Sequence, residues 1–271
     1  MKVAAYQAPL AACYDPQIIS MIRLQVDRCE ALGVEILCCP EALLGGLADY
    51  VDPPERAAID TSVGGLDRLL SPLASDRVTV VVGFTEQGGG GCLYNAAAVF
   101  SRGEVLGIYR KMHPAINRSV YYAGAETPVF TVSNVTFGVL ICRDSLFSEP
   151  ARLMVSRGAQ ILLVPTNNGM PLTKGGEELV AQARTCDIAR ALESSVPVVR
   201  ADVAGTHDNL MSYGSSGIVD RNGRIVSTTC AMEAELVVSD VDIGDLHHAV
   251  QTNASSRRSQ SLARLKRGFM R

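Results

Sequence analysis

The sequence lacks any long apolar run and any pattern of paired cysteines. No apolar stretch approaches the ~20 residues that a membrane-spanning helix needs, and the start, "MKVAAYQAPL", has no long apolar leader segment. The eight cysteines form no CxxC pair, and none has the spacing of a zinc site. Reduced thiols in a reducing compartment fit this pattern, so we expect a cytoplasmic protein that binds neither a metal nor a membrane.

An excess of positive charge is also missing. The formal net charge is −3, which offers no basic face for nucleic acid. Residues 251–271 are the exception, because this segment contains no acidic residue and these basic ones: Arg257, Arg258, Arg264, Lys266, Arg267 and Arg271. Such a tail either lies in solvent or crosses onto an acidic neighbouring subunit. We therefore divide the chain into a globular domain, 1–250, and a basic C-terminal tail, 251–271.

Short apolar segments alternate with helical patterns along the whole chain. Strand-like segments are "KVAAYQA" (2–8), "EILCCP" (35–40), "VTVVVGF" (78–84), "YNAAAVF" (94–100), "TFGVLIC" (136–142), "QILLVP" (160–165), "VPVVRAD" (196–202) and "ELVVSDV" (235–241). Several are apolar nearly throughout, which is typical of strands buried on both faces. Residues 145–157 and 175–194 have the pattern of helices. With no boundary in the series, we predict a single α/β domain with two sheets packed together and helices outside.

Cys142 stands where a buried strand gives way to charge, in "FGVLICRDSLFSEPAR" (137–152). The end of a strand before a helix is where α/β proteins present reactive groups, and N–H groups at the start of the helix can face an anion. From this position alone, Cys142 is either a nucleophile or a packed structural thiol.

Two other segments also run from an apolar strand into charge, "EILCCPEALLGG" at Glu41 and "GEVLGIYRKMHP" at Lys111. Taken singly, each is a solvated charge; together with Cys142 they make a convergent site. A carboxylate beside an ammonium stays ionised when buried and can take the proton of a thiol. The ammonium can stabilise an oxyanion, and we expect it to lower the pKa of Cys142. No HExxH motif is present, and "YGSSG" (213–217) misses GxSxG by one position.

The segments "PEALLGG", "YRKMHP" and "GVLICRDSLFSEPAR", in this order and spacing, resemble the three signature blocks of the carbon–nitrogen hydrolase (nitrilase) superfamily. The segments "VAAYQA", "LYNAAAVF", "ARALESSVPVVRADVAG" and "GSSGIVDRNGRIV" extend the resemblance over nearly the whole chain. The resemblance implies an α-β-β-α sandwich and an amidase-like hydrolase that needs no metal or organic cofactor.

For the site, the resemblance implies a Glu–Lys–Cys triad at Glu41, Lys111 and Cys142. Glu41 would be the general base, and Lys111 with the backbone N–H of Arg143 would hold the oxyanion. Cys142 would attack an amide or nitrile carbon to form a thioester that water hydrolyses. Relatives pair through helices beside the cysteine, and their C-terminal segments cross onto the partner. We therefore expect a homodimer or a larger even oligomer.

The sequence departs from the family near the lysine block. Pro114 stands where many members have leucine, and Asn117 stands where many have a second glutamate that orders the lysine and the attacking water. An amide at this position can hydrogen-bond Lys111 but cannot accept a proton. We therefore take Asn117 as a candidate binding residue whose effect on efficiency and substrate choice stays open.

Three further residues are candidates for contact with a substrate. Arg143 either meets a substrate carboxylate or faces outward and pairs with a neighbouring acid. Asn167 and Asn168, in "PTNNGM" (165–170), either line the mouth of a pocket or form an Asn-Gly turn. The segment "RDSLF" begins with Arg143 and so lacks the aromatic residue that true nitrilases have right after the cysteine, which favours a small carboxamide or N-carbamoyl substrate. The alternatives are nitrile hydrolysis and a catalytically quiet member that serves as a binding or assembly module.

Overall fold

The structure is a computed structural model that describes residues 1–11, 15–61, 64–115, 119–172 and 176–244. Two β-sheets stack face to face, and α-helices cover the outer face of each. The helices are α1 (Ile18–Leu32) and α2 (Gly65–Leu70) on the first sheet, and α3 (Ser148–Ser156) and α4 (Glu177–Ser194) on the second. The predicted α-β-β-α sandwich is confirmed.

The first sheet combines parallel and antiparallel strands. Its strands are β1 (Lys2–Pro9), β2 (Ile36–Cys38), β3 (Ala58–Asp60), β4 (Thr79–Gln87), β5 (Leu93–Ser101), β6 (Glu104–Arg110), β10 (Met170–Pro171), β12 (Val203–His207), β13 (Leu210–Ser212) and β16 (Glu235–Asp240). They follow the order β10-β13-β12-β1-β2-β4-β5-β6, with β16 on β1 and β3 on β4. The parallel run β1-β2-β4 lies at its centre.

The second sheet has the same mixed character. Its strands are β7 (Val129–Val132), β8 (Val135–Val139), β9 (Ile161–Pro165), β11 (Val198–Ala201), β14 (Gly217–Val219) and β15 (Ile225–Thr228). They follow the order β15-β14-β11-β9-β8-β7, and the central run β8-β9-β11 is parallel. In the described ranges, no helix of either layer is both long and apolar enough to cross a membrane.

Strand β1 shows why so many strands are apolar on both faces. Val3 and Ala5 pack in the core between the two sheets. The alternate residues Ala4 and Tyr6 pack in a second core under α1. Successive strand residues point to opposite faces, so a strand at the middle of a four-layer stack needs apolar side chains at every position.

One predicted helix begins later than expected. The prediction of a helix over 145–157 is wrong at its start, because Cys142–Leu146 forms a 3₁₀ turn and α3 begins only at Ser148. The side chain of Asp144 accepts the Ile141 N–H, which closes this tight turn before the α-helix can begin. The second predicted helix, over 175–194, corresponds to α4. Asn117 and the basic tail over 251–271 lie outside the described residues.

Candidate active site

Glu41 follows β2, and its carboxylate accepts hydrogen bonds from three donors. Its Oε1 accepts from Lys111 Nζ at 2.5 Å and from Asn95 Nδ2 at 2.7 Å. Its Oε2 accepts the main-chain N–H of Asn167 at 2.9 Å. The residue is 1% exposed. A buried carboxylate with an ammonium and two amide donors around it is held in its ionised form.

The main chain at Glu41 packs so closely against Gly83 that only glycine fits at this position. A Cβ on Gly83 would lie 2.5 Å from the Cα of Glu41 and 2.5 Å from the carbonyl oxygen of Pro40. The Gly83 N–H donates to that carbonyl at 3.0 Å. Because both contacts are main-chain atoms that cannot rotate away, any side chain here would displace the segment that carries the carboxylate.

Lys111 comes directly after β6 and is 2% exposed. Its N–H donates to the Asn95 carbonyl, and its own carbonyl accepts the Gly124 N–H, both at 2.8 Å. Burial alone would lower the pKa of its ammonium, but the negative charge of Glu41 and the hydrogen bond to it raise that pKa above its ordinary value. Lys111 is therefore a fixed cation at neutral pH.

Cys142 opens the 3₁₀ turn after β8 with a φ of 45°, in the left-handed region that side chains rarely adopt. Its side chain is partly exposed. Desolvation and the Glu41 carboxylate raise the pKa of the thiol to about 12, against the lowering effects of Lys111 and Arg200. The expectation of a lowered pKa is therefore wrong, because desolvation and Glu41 together outweigh the nearby cations. At rest the thiol is protonated, and it needs a base to react.

Asp144 ties the cysteine turn to the strand that leads to the lysine. Its Oδ2 accepts the Tyr109 O–H at 2.7 Å and the Ile141 N–H at 3.1 Å. Its Oδ1 accepts the His113 N–H at 2.9 Å and lies 2.9 Å from His113 Nδ1. Tyr109 and His113 flank Lys111 in the sequence, so one fully buried carboxylate sets the position of the cysteine turn relative to Lys111.

A second buried hydrogen-bond network, centred on Arg200, also contacts the turn that begins at Cys142. Arg200 donates to both carboxylate oxygens of Asp187, to Thr166 Oγ1 at 2.6 Å and to Ser145 Oγ at 2.8 Å. The Ser145 hydroxyl donates to the carbonyl of Cys142 at 2.7 Å. The carboxylate of Asp187 raises the pKa of Arg200 despite desolvation, so this cation is permanent. Sequence reasoning did not identify Asp144, Arg200 or Asp187.

Asn167 and Asn168 both make internal hydrogen bonds. Beyond its N–H bond to Glu41, Asn167 directs Nδ2 to the Glu41 carbonyl at 3.4 Å and accepts the Gly169 N–H at 3.0 Å. Asn168 donates from its N–H and its amide to the buried carboxylate of Asp202, and from the same amide to Ser215 Oγ at 3.2 Å. The structure thus places Asn167 against the general-base candidate and Asn168 on a neighbouring network, and substrate binding by either stays a prediction.

Arg143 lies on the outside of the cysteine turn and is exposed. Its guanidinium lies 3.4 Å from the carbonyl of Ala115. That carbonyl belongs to the segment after the lysine block, so the Arg143 side chain connects the cysteine turn to this segment. In the described ranges, no group of three or more His, Cys, Asp or Glu side chains is arranged to hold a metal ion.

Comparison of the sequence with known proteins identifies the family of the chain. The chain matches the carbon–nitrogen hydrolase family over residues 2–250. It is 30% identical over 254 residues to a glutamine-dependent NAD(+) synthetase of Xylella fastidiosa, an alignment covering 89% of this chain and 44% of that protein. It is 29% identical to a nitrilase of Pyrococcus abyssi, over 66% of each protein. The chain thus spans between about half and two thirds of the length of these relatives.

Solved structures with a similar fold include members of the nitrilase superfamily. An amidase of the nitrilase superfamily from Nesterenkonia AN1 superposes with a TM-score of 0.74 at 25% identity, covering 96% of this chain and 97% of that one. Nit3 of Saccharomyces cerevisiae shares the fold, with a TM-score of 0.77 at 19% identity over 93% of both chains. The protein belongs to the carbon–nitrogen hydrolase family, in the nitrilase superfamily.

Proposed function

We propose that the protein hydrolyses the C–N bond of a small carboxamide or an N-carbamoyl compound through a thioester on Cys142. The observation that carries the proposal is the buried pair of Lys111 and Glu41, both of whose charges act on the thiol of Cys142 in its strained turn. A buried ion pair lowers stability unless it is fully hydrogen-bonded. Its retention beside a protonated thiol is explained by a need for a base and a cation together.

Formation of the thioester begins with the proton of the Cys142 thiol. Glu41 takes this proton as sulfur forms a bond to the carbonyl carbon of the amide. The carbonyl oxygen becomes an oxyanion, which the Lys111 ammonium and the N–H of Arg143 stabilise. The C–N bond then breaks, and the nitrogen leaves as ammonia or an amine with the proton that Glu41 held. One such preorganised donor contributes about 10²–10³ in rate.

Release of the acid restores the cysteine. Glu41, ionised again, takes a proton from a water molecule as the water oxygen attacks the thioester carbon. The same two donors hold the second oxyanion. When this intermediate collapses, the C–S bond breaks, the carboxylic acid leaves, and the thiolate takes the proton from Glu41. Atoms balance over the cycle: amide and water give acid and ammonia or amine.

Two comparisons favour an amide over a nitrile as the substrate. The Nesterenkonia amidase matches this chain over nearly its full length. Its structure with acrylamide shows Michael addition at an active-site cysteine, so an amide enters that site. The NAD(+) synthetase of Xylella fastidiosa, which is named for its dependence on glutamine, a compound with a carboxamide, aligns with 89% of this chain. The nitrilase of Pyrococcus abyssi supports nitrile hydrolysis as the alternative.

A hydrolysis screen tests the proposal. Small primary amides, N-carbamoyl amino acids and nitriles are incubated with the protein, and ammonia release is measured. We expect turnover of at least one amide or carbamoyl compound, lost in Cys142→Ser and retained in Cys230→Ser, which makes the same change at an exposed cysteine. Release of ammonia from nitriles alone would replace amide hydrolysis with the alternative. Equal turnover by wild type and Cys142→Ser would contradict the assignment of the nucleophile.

A further inference from the structure

Asn95 contacts both members of the buried ion pair. It lies on β5, is 3% exposed, and its Nδ2 lies 2.7 Å from Oε1 of Glu41. Its carbonyl oxygen accepts the N–H of Lys111 at 2.8 Å. The side chain thus acts on the carboxylate, while the main chain of the same residue fixes the start of the lysine segment.

Packing does not explain an asparagine at this position. Its Oδ1 is buried and accepts no hydrogen bond from the part of the chain that the structure describes. A buried amide that uses only one end is less favourable for folding than an apolar side chain of similar shape. The donation to Glu41 is the one hydrogen bond that the side chain makes with the described residues. Folding therefore gains little from this amide, and the hydrogen bond that it donates is to the carboxylate.

The hydrogen bonds of Glu41 also distinguish its two oxygens. Each carboxylate oxygen has about two lone-pair sites. Oε1 uses both, for Lys111 and Asn95. Oε2 accepts a single donor from the described residues, the N–H of Asn167. One acceptor site on Oε2 remains, so this oxygen is the one that can take a proton.

We propose that Asn95 is a positioning residue that fills Oε1, keeps the Glu41 carboxylate ionised and leaves Oε2 to act as the base. In the proton transfer, the S–H bond of Cys142 breaks and an O–H bond forms on Oε2, while the Asn95 and Lys111 hydrogen bonds stay on Oε1. This inference rests on the proposed function, since it takes Glu41 as the base. It adds which oxygen reacts and which side chain determines that choice.

The test replaces the amide with an apolar side chain of similar size, Asn95→Leu. The rate at which iodoacetamide alkylates Cys142 is followed by peptide mass spectrometry across pH. In the proposed reaction Glu41 is the base for the thiol, so a change around this carboxylate should move the acid limb of the profile. Loss of one donor to a charged group should move the half-maximal pH of that limb upward by about one to two units.

Thr85→Val is the matched control. Thr85 pairs with Asn95 across β4 and β5, is 0% exposed, and hydrogen-bonds Tyr121 and Gly46 rather than Glu41. The valine substitution removes a buried polar group from the same place in the sheet without a change at the carboxylate. We expect a lowered melting temperature in Thr85→Val and a moved acid limb only in Asn95→Leu.

A second variant keeps the test valid if the leucine variant does not fold. Asn95→Asp conserves the shape but places a carboxylate beside Glu41, so the two acids share a proton and the acid limb again moves upward. An acid limb that stays at the wild-type pH in the folded variants would overturn the proposal. The labelling needs no substrate, so a failed amide screen leaves this test intact. Likewise, an unmoved limb leaves amide hydrolysis by the wild type unaffected.

Discussion

The ammonium of Lys111 lies 2.5 Å from Oε1 of Glu41, with both side chains 3% exposed or less, although 70 positions separate the two residues. The pair joins the end of β6 to the turn after β2. Because neither charge is solvated, each is compensated by the other.

Removal of either charge should abolish turnover and lower stability. Glu41→Gln keeps the size of the side chain but removes the base and leaves a buried ammonium without its anion, so we expect kcat to fall about 10²-fold or more and the melting temperature to fall. Lys111→Met leaves a buried carboxylate without its cation and should lower the free energy of unfolding by about 3–5 kcal/mol as well. Steady-state kinetics and chemical denaturation measure the two effects.

Arg23→Met is the control for these variants. It breaks a surface ion pair with Asp27, whose side chain is 58% exposed. Such pairs contribute about 0–1 kcal/mol, so stability and kcat should both stay near the wild-type values. If Glu41→Gln or Lys111→Met retained more than about a tenth of the wild-type kcat, the assignment of these two residues would be wrong.

Asp144→Asn should misplace the cysteine without a direct change in any reacting group. An amide nitrogen cannot accept, so at least one of the donors from Tyr109, Ile141 and His113 loses its partner. We expect a lower melting temperature and a kcat reduced by about 10²-fold, the order of effect that a displacement near 1 Å produces. Differential scanning calorimetry and kinetics at saturating substrate check both values.

The matched control for Asp144→Asn is Glu193→Gln. Glu193 pairs with Arg190 on α4, and its side chain is 45% exposed. The same carboxylate-to-amide change there should leave both the melting temperature and kcat unchanged. Equal effects of the two variants would mean that Asp144 has no special part in holding the cysteine turn.

We expect the protein to form a homodimer or a larger even oligomer in which an apolar helix face joins two subunits. This face consists of exposed large side chains on and before α3 and on α4: Leu146, Phe147, Leu153 and Leu192. Leu192 is 56% exposed, and Leu24, on α1 at the opposite side of the sandwich, is 58% exposed. Leu192→Asp should give a monomer in light scattering, while Leu24→Asp should leave the dimer intact. A wild-type mass of 28.9 kDa at micromolar concentration would contradict the dimer.

The basic tail offers a separate test of the same assembly. If residues 251–271 lie on an acidic partner surface, truncation after Asn253 should lower the melting temperature of the dimer. The tail contacts should also weaken as salt shortens the Debye length from ~10 Å at 0.1 M. The apolar helix face should keep the dimer together under both conditions. A truncated dimer with unchanged mass and melting temperature would show that the tail is a solvated end.

The sequence predicted that the three central residues follow strands, and in the structure Lys111 comes directly after β6, while Glu41 and Cys142 come three residues after the ends of β2 and β8. The segment "QILLVP" (160–165) corresponds to β9 at Ile161–Pro165, and "KVAAYQA" (2–8) to β1 at Lys2–Pro9. Strand ends follow from the local apolar pattern, so charged residues just beyond them can be identified. The family blocks then gave Glu41, Lys111 and Cys142 their expected roles.

The supporting residues could not be predicted because their contacts join distant segments. Asn95 meets Glu41 across 54 positions, and Arg200 meets Ser145 across 55. No local pattern indicates such a pair. Asp144 had one signal, a carboxylate two residues after a buried strand end. The raised pKa of Cys142 could not be predicted from the sequence either, because it depends on desolvation in the folded structure.

The most direct measurement of the central claim is mass spectrometry of the protein quenched in acid during turnover of an amide found in the screen. The account predicts that the peptide containing Cys142 gains the mass of the acyl group of that substrate. Hydroxylamine should remove the added mass, as expected of a thioester, and Cys142→Ser should show no thioester-linked mass. Turnover with the acyl group on another residue, or undiminished turnover in Cys142→Ser, would contradict the account.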